Sequence, residues 1–580
     1  MSPSLDHFNA WAKEHGVTSI LVPKDSKGMG TGLFLNSTAS FNQSNDHHGE
    51  LLFVPNSLIL SRSRIVQMKC ATLQKTFDIL GNDNVSERLA IVLFLLFQRF
   101  GSDMDTTSSS PESVFKPYVT ALPEVSTPVT LDPDITRGYL AGTLLLDSVS
   151  AKRSKLESEF ELLSGNLNVF ENWPVHPSLD NFIWADATLW SRVLSFQTQW
   201  GESQGNGADD LHMVPFLDFA NHATQPNIRW EVDQDGLRVW AKESLLDRVS
   251  ESEQHHHMAQ EHEVYLSYGN KPNTELLFLY GFTLQDNPTQ FLTLPIPMDE
   301  DDAYYMPKAH TLMRFGIPPR ITIYLDKNDG PDDLVQMCEG MWITQDAQYL
   351  LWLYSLNEED GLGAIMELPK VQACVPTPSA ANDNEDMEEA DLMGEDDIGQ
   401  LVLTIQGTKI TSKELLQSVV PKLEIYPVLT LRSLVLVASR IEFYIARIVE
   451  TGDKVQKVES IKIVRNANYK GDGLDNNGSR SPPDGASDLA AVSRVGHNIG
   501  DCLIPTLLEP DHEHPITCHQ LEVEMQISSL VSTMKNYRDE EMDLLVRMGN
   551  ILGDAQARCV EESDFIQSYL SRMQTQDERT

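Results

Sequence analysis

The stretch E-V-Y-L-S-Y-G-N-K-P-N-T-E-L-L-F-L-Y-G-F, Glu263 to Phe282, decides how the chain is read. Val264, Leu266 and Tyr268 alternate with Tyr265, Ser267 and Gly269, a period of two that predicts a short strand ending at a glycine turn. Pro272 then opens a helix that Asn273 or Thr274 can cap. Leu276, Leu277 and Tyr280 fall on one helical face until Gly281 stops the turn. Such a strand and helix would bring Tyr268 and Tyr280 to one cavity, although on residue type alone both are equally ordinary core aromatics.

Working outward, the chain has 580 residues, enough for two to four units at roughly 100 to 200 residues each. Its net charge of -41 argues against binding a phosphate backbone or an anionic membrane surface, since both require a basic footprint. It is compatible with a Lys/Arg-rich protein partner and equally with plain solubility. Six cysteines, Cys70, Cys338, Cys374, Cys502, Cys518 and Cys559, form no C-x-x-C pair, which suits a reducing compartment and leaves no Cys-built zinc site. No leader pattern opens the sequence, and the longest aliphatic run, Ile91 to Phe97, is far short of the ~20 residues of a membrane span. A soluble intracellular protein is expected.

Before the tyrosine stretch, Leu5, Phe8, Trp11 and Ala12 predict a small amphipathic helix closed by His15-Gly16. K-G-M-G-T-G-L-F-L, Lys27 to Leu35, is a glycine turn running into a strand, with a second strand over Gly49 to Pro55. It is no dinucleotide fingerprint, because a strand follows the glycines where a helix would be needed. Glu87 to Phe100 is apolar nearly all round and predicts a buried helix. The prolines of Val114 to Glu124 exclude a continuous helix there. Residues 134 to 200 read as mostly helical, interrupted near Trp173 to Pro177, and end with Phe182, Trp190 and Val193 on one side and Arg192 free for a polar partner. V-P-F-L-D-F-A-N-H, Val214 to His222, leads into a predicted hairpin of Asn227 to Val232 and Gly236 to Ala241 around Asp233 to Asp235. The loop between Lys242 and Glu263 holds His255, His256, His257 and His262; an exposed loop is the simpler reading than a metal site.

After Pro295 the expectation is helical: Pro331 to Leu356, Leu415 to Lys422, Ser433 to Glu450 and Glu522 to Ala555. Asp383 to Asp397 holds nine acids and no base, and Asn466 to Ser493 is rich in Gly, Asn, Asp, Ser and Pro. Both are expected to be disordered insertions, about 377-400 and 466-493, because neither can bury enough to offset the entropy of ordering.

K-G-M-G-T-G-L-F, V-P-F-L-D-F-A-N-H and S-Y-G-N-K-P-N-T-E-L-L-F-L-Y-G-F, in that order, resemble the three signature segments of SET-domain protein lysine methyltransferases. The subgroup they resemble is that of the plant Rubisco large-subunit methyltransferase and the fungal ribosomal-protein lysine methyltransferases. The buried helix, F-K-P-Y-V-T-A-L-P and F-I-W-A-D-A-T-L-W-S-R resemble that subgroup's helical insert. The likeness is strong over the first half and weak over the second, and the His-rich loop, which sets His222 and Tyr280 58 positions apart, is a departure.

This resemblance implies an α+β fold: a SET-domain β-fold with a helical insert, then a mostly α-helical substrate-binding domain. The segments are 1-65 and 208-294 for the SET portion, 66-207 for the insert and 295-580 for the helical domain. It implies transfer of a methyl group from S-adenosylmethionine to a lysine ε-amine of a protein, a ribosomal protein first, by a monomer of the cytoplasm or nucleus with no bound metal. Tyr280 would be the catalytic tyrosine and Tyr268 a wall of the lysine channel. Met29, Gly30, Gly32, Asn221 and His222 would hold the cofactor, with Arg192 at its carboxylate. The competing expectations are an inactive SET-fold adaptor for a basic protein, and a metal-dependent hydrolase built on the histidine loop.

Overall fold

The computed structural model describes residues 3-26, 30-36, 49-101, 114-196, 211-247, 261-327, 330-367, 400-458 and 518-577. Met29, the loop histidines 255-257 and the two expected insertions, apart from Gln400, lie outside them.

Two four-stranded sheets build the first half. In one, Glu50–Pro55 pairs with Thr18–Ser19 and with the Gly236–Ala241 strand of the expected hairpin, whose other arm is Ile228–Val232. The hairpin turn is fixed by Asp233, whose Oδ1 accepts the Asp235 and Gly236 amides at 2.8 and 3.1 Å, the local bond that suits Asp to turns. In the other sheet the order is Leu21–Asp25, Thr31–Leu35, Glu263–Leu266, Asn221–His222. The glycine turn, the tyrosine strand and the Asn-His pair, far apart in sequence, are thus neighbours across one sheet.

Helices cover these sheets. Ser86 caps Glu87–Leu96 through the Leu89 amide, and every residue from Ala90 to Leu96 is buried, as an apolar surface all round requires. At roughly 1.5 to 3 kcal/mol per large apolar side chain, this helix is a principal anchor of the first core. The expected break at Val114 to Glu124 contains a short helix, Lys116–Ala121, because Pro117 falls in its first turn, where proline is tolerated. Pro3–Glu14 packs Phe8 and Trp11 against Tyr118, with ring centroids 6.0 and 6.2 Å away.

The second half is predominantly helical and holds two sheets that sequence periodicity did not announce. One joins Phe291–Pro295, Arg320–Tyr324, Met341–Thr344 and Leu334–Cys338; the other joins Leu362–Glu367, Gln400–Ile405 and Thr408–Lys409. The expected helix over Pro331 to Leu356 is therefore corrected: its first part is a hairpin turning at Gly340, with φ +81°, and only Gln345–Ser355 is helical. Tyr426–Val458 and Cys518–Glu562 are long helices packed on one another. The second spans both cores: Leu530, Met534 and Tyr537 are buried with the first, Leu545, Met548 and Leu552 with the second.

Candidate functional site

The tyrosine strand lies antiparallel to the glycine strand, with Val264 opposite Leu33, and parallel to the Asn-His pair, with Tyr265 opposite Asn221 and Leu266 opposite His222. Glu263, at the head of the strand, knots the three segments. Its Oε1 accepts Asn221 Nδ2 at 2.8 Å, and its Oε2 accepts the hydroxyls of Ser26 and Tyr265 at 2.8 and 3.0 Å. A Cβ at Gly32 would stand 2.2 Å from Glu263 Oε1 and 2.9 Å from Asn221 Nδ2, so any larger residue there must displace this hydrogen-bonded pair. Gly30 differs: it has φ +75°, and no atom of the described residues lies within 4 Å of where a Cβ would be.

Beyond Leu266 the chain bends under His222. The Tyr268 amide donates to His222 Nδ1 at 3.1 Å, which places the ring proton on Nε2, and burial lowers the imidazole pKa, so the ring is neutral at neutral pH. The Tyr268 hydroxyl donates to the Ala220 carbonyl at 2.9 Å, immediately before Asn221. Burial is the main cause that pushes this hydroxyl up to about 12.

Asn273–Tyr280 forms the expected helix, with one correction. Neither Asn273 nor Thr274 is its cap; the N-cap is Pro272, which offers no side-chain bond, and Asn273 is buried within the first turn. Gly281 closes the helix with φ +81°, and a Cβ there would lie 2.0 Å from the Ser126 carbonyl. Tyr280, the last helical residue, stacks on Tyr268 with ring centroids 4.5 Å apart and planes 27° from parallel. His222 lies 5.1 Å from Tyr268, and Phe282 6.1 Å from both His222 and Tyr280, which completes a four-ring wall. Among the described residues the Tyr280 hydroxyl has no hydrogen-bond partner. Burial first, then the Tyr268 ring beside it, raises its pKa well above the usual range.

Arg192 sits just past the Leu179–Trp190 helix, where Nη1 donates to the Asp218 carbonyl and the guanidinium lies 5.4 Å over the Phe219 ring. Its Nε is buried without a partner among the described residues. Below it, the Asp218 carboxylate accepts the Tyr118 hydroxyl and is raised to about 6, chiefly by burial.

The sheet thus brings Gly32 beside Asn221 and His222, Tyr268 is bonded beneath His222 with Tyr280 stacked on it, and Arg192 is tied to the segment leading into Asn221. Glu263, Asp218, Tyr118 and Phe282 were not singled out from sequence. Asp218 had a signal, a lone acid inside the apolar run V-P-F-L-D-F-A. Among the described residues no cluster of His, Cys, Asp and Glu is placed to hold a metal ion.

No protein-family model matches the chain. It is similar to SET domain-containing protein 8 of Schizosaccharomyces pombe, 27% identical over 48% of this chain and 58% of that protein. It is also similar to the chloroplastic Rubisco large-subunit N-methyltransferase of Pisum sativum, 25% identical over 53% of this chain and 56% of that one. Human actin-histidine N-methyltransferase is 23% identical over 48% of this chain and 43% of that protein. The chain spans little more than half the length of the first two. Among solved structures, it aligns with the SET domain of LSMT bound to lysine and AdoHcy at 21% identity, covering 62% of this chain and 73% of that one with a TM-score of 0.43. By sequence, over about half of its length, the chain resembles the SET-domain proteins of the Rubisco large-subunit methyltransferase type.

Proposed function

We propose that this protein is an S-adenosylmethionine-dependent protein-lysine N-methyltransferase. The observation that carries the reading is the Tyr268 hydroxyl fixed on the Ala220 carbonyl, where the tyrosine segment meets the segment leading into Asn221, with the ring of Tyr280 stacked on it. Methyltransferase names among the relatives, on protein substrates as different as Rubisco and actin, support the coarser part of it, N-methylation of a protein.

The residues present suit the cofactor. Among the described residues nothing crowds Gly30, and Arg192 Nε is a buried donor in want of an acceptor, as a carboxylate would supply. Gly30, Gly32, Arg192, Asn221 and His222 would hold it, together with Met29, which precedes Gly30 in sequence. Asn221 would act through its backbone, since its side-chain amide is engaged by Glu263. When bound, the cofactor supplies an electrophilic methyl group on a sulfonium.

The chain's task is then to present a neutral amine in line. A free lysine, with a pKa of ~10.4, is deprotonated in only about one molecule in a thousand at neutral pH. A wall of His222, Tyr268, Tyr280 and Phe282, with the imidazole neutral, disfavours the ammonium by desolvation. Neither tyrosine serves as the base, because both phenols stay protonated at neutral pH. Their part is to orient. We assign the fixed hydroxyl of Tyr268 to the reacting centre and Tyr280 to the channel wall. This reverses the division of labour that the family resemblance implied, because only the Tyr268 hydroxyl is anchored to the Asn-His segment.

In the same reading, segments 1-65 and 208-294 form the catalytic portion, 66-207 its insert, and 295-580 the part that holds the protein substrate. The net charge of -41 favours a basic substrate, ribosomal proteins first, met by a monomer in the cytoplasm or nucleus. The test is mass spectrometry of lysine methylation in ribosomal and chromatin fractions from cells with and without the protein. A lysine methylated only when the protein is present supports the reading; unchanged lysine methylation in every fraction contradicts it.

A further inference from the structure

The helix that carries Tyr280 has little to hold itself together. It is eight residues long, and its N-cap, Pro272, has no side-chain bond to offer the first-turn amides. Isolated helices shorter than about 12 to 15 residues are marginal even with good sequences. It packs on the Leu144–Glu161 and Leu179–Trp190 helices, and it is also gripped at its first turn by the Cys518–Glu562 helix, far later in the chain.

Two residues of the first turn are engaged. The Asn273 side-chain amide donates to the Leu284 carbonyl at 2.9 Å and to Glu540 Oε2 at 2.8 Å, while its oxygen accepts the Leu284 amide and Asn287 Nδ2, each at 3.0 Å. Thr274 Oγ1 meets the Tyr537 hydroxyl at 3.0 Å. When the Glu541 carboxylate is ionised, that hydroxyl donates to its Oε2, which makes Thr274 the donor to Tyr537. Glu541 Oε1 in turn accepts the Leu144 amide at 2.8 Å, at the start of the Leu144–Glu161 helix. Tyr537 and Glu541 are buried, whereas Glu540 lies at the exposed rim. The opposite end of the tyrosine helix is held by Gly281 against Ser126.

We propose that Tyr537 and Glu540 are positioning residues for Tyr280: by gripping Asn273 and Thr274 they set the axis of the eight-residue helix and hence the stacking of Tyr280 on Tyr268. The proposal rests on the functional reading only in giving that stacking a catalytic purpose; the mechanical link stands apart from it. The C-terminal helix thereby acts as a strut for the site as well as part of the second core. Any shift in how this helix packs is transmitted to the tyrosine pair.

The test places 3-fluorotyrosine at position 280 of the full chain and follows its 19F resonance, a signal that needs neither cofactor nor substrate and so is unaffected if the proposed reaction is wrong. Glu540→Ala, at an exposed position, should fold and shift or split the line. Glu540→Gln, which keeps an oxygen to accept from Asn273, should restore the wild-type line. Tyr537→Phe, which keeps the ring and loses the bond to Thr274, should shift it as well. A wild-type 19F line in Glu540→Ala overturns the proposal, whatever the methyl-transfer activity of the variant. A line that moves in Glu540→Ala and is restored in Glu540→Gln supports it.

Discussion

Tyr268 and Tyr280 stack face to face at 4.5 Å, yet their hydroxyls have different fates: the first is bound to the Ala220 carbonyl, and the second has no partner among the described residues. One ring system therefore presents one fixed and one free phenol. The difference gives the two tyrosines separable roles.

Tyr268→Phe removes the fixed hydroxyl while keeping the stack. Methyl transfer should fall on the order of 100-fold or more, the usual loss when one oriented polar group at a reacting centre is deleted. Cofactor affinity, read by calorimetry, should hold. Tyr280→Phe should cost less than Tyr268→Phe under the same turnover assay; the reverse order would restore Tyr280 to the reacting centre.

Gly32→Ala drives a methyl carbon into Glu263 Oε1 and toward Asn221 Nδ2. Overpacking of this kind costs about 1 to 3 kcal/mol. Chemical denaturation should show that loss, accompanied by weaker S-adenosylmethionine binding, because the same shift displaces Asn221. Gly30→Ala meets no atom of the described residues but is strained by its positive φ, so its stability should fall without a clash of the kind seen at Gly32.

Glu263→Ala strips the acceptor from Ser26, Asn221 and Tyr265 together. Ser26 is buried, and a buried donor that loses its acceptor costs about 1 to 3 kcal/mol, while half-buried Asn221 loses its side-chain tether. The expected result is a lower melting temperature and loss of cofactor binding in a protein whose far-UV circular dichroism is retained.

Glu541 gives a pH dependence with a definite sign. Burial is the main cause raising its pKa from 4.5 to about 7, so the folded chain holds this proton more tightly than the unfolded chain does. Its contribution is greatest below the unfolded value and is lost as pH rises through about 7. Glu541→Gln keeps an oxygen for the Leu144 amide and carries no charge. Relative to wild type it should be more stable at pH 8 than at pH 5, measured by melting temperature; a difference independent of pH would contradict a proton held by burial at this position.

The tyrosine stretch was legible because its strand and helix are adjacent and each follows its own period, so the meeting of Tyr268 with Tyr280 follows from a single turn. The hairpin at Asp233 to Gly236 was legible for the same reason. Glu263 was not: an alternating pattern places it on a face with Tyr265, but only pairing to two distant strands shows that Asn221 and Ser26 lie there too. The cap of the tyrosine helix escapes residue type because Asn273, a good cap by that criterion, is drawn inward by Leu284, Asn287 and Glu540. Leu334 to Thr344 carried the apolar density of a helix, and its turn at Gly340 needed the pairing of Leu334 with Thr344 to become visible. The sheet of Leu362–Glu367 with Gln400–Ile405 joins strands separated by the acidic segment, beyond the reach of any local pattern.

Methyl transfer centred on Tyr268 can be put to a single measurement. Purified wild-type protein and Tyr268→Phe are each incubated with methyl-labelled S-adenosylmethionine and the ribosomal and chromatin fractions of cells lacking the protein, and the label is mapped by mass spectrometry. Label on lysine with the wild type and a large loss with the variant are expected. Absence of label together with absence of S-adenosylmethionine binding by the wild type, or equal labelling by both proteins, would contradict that role.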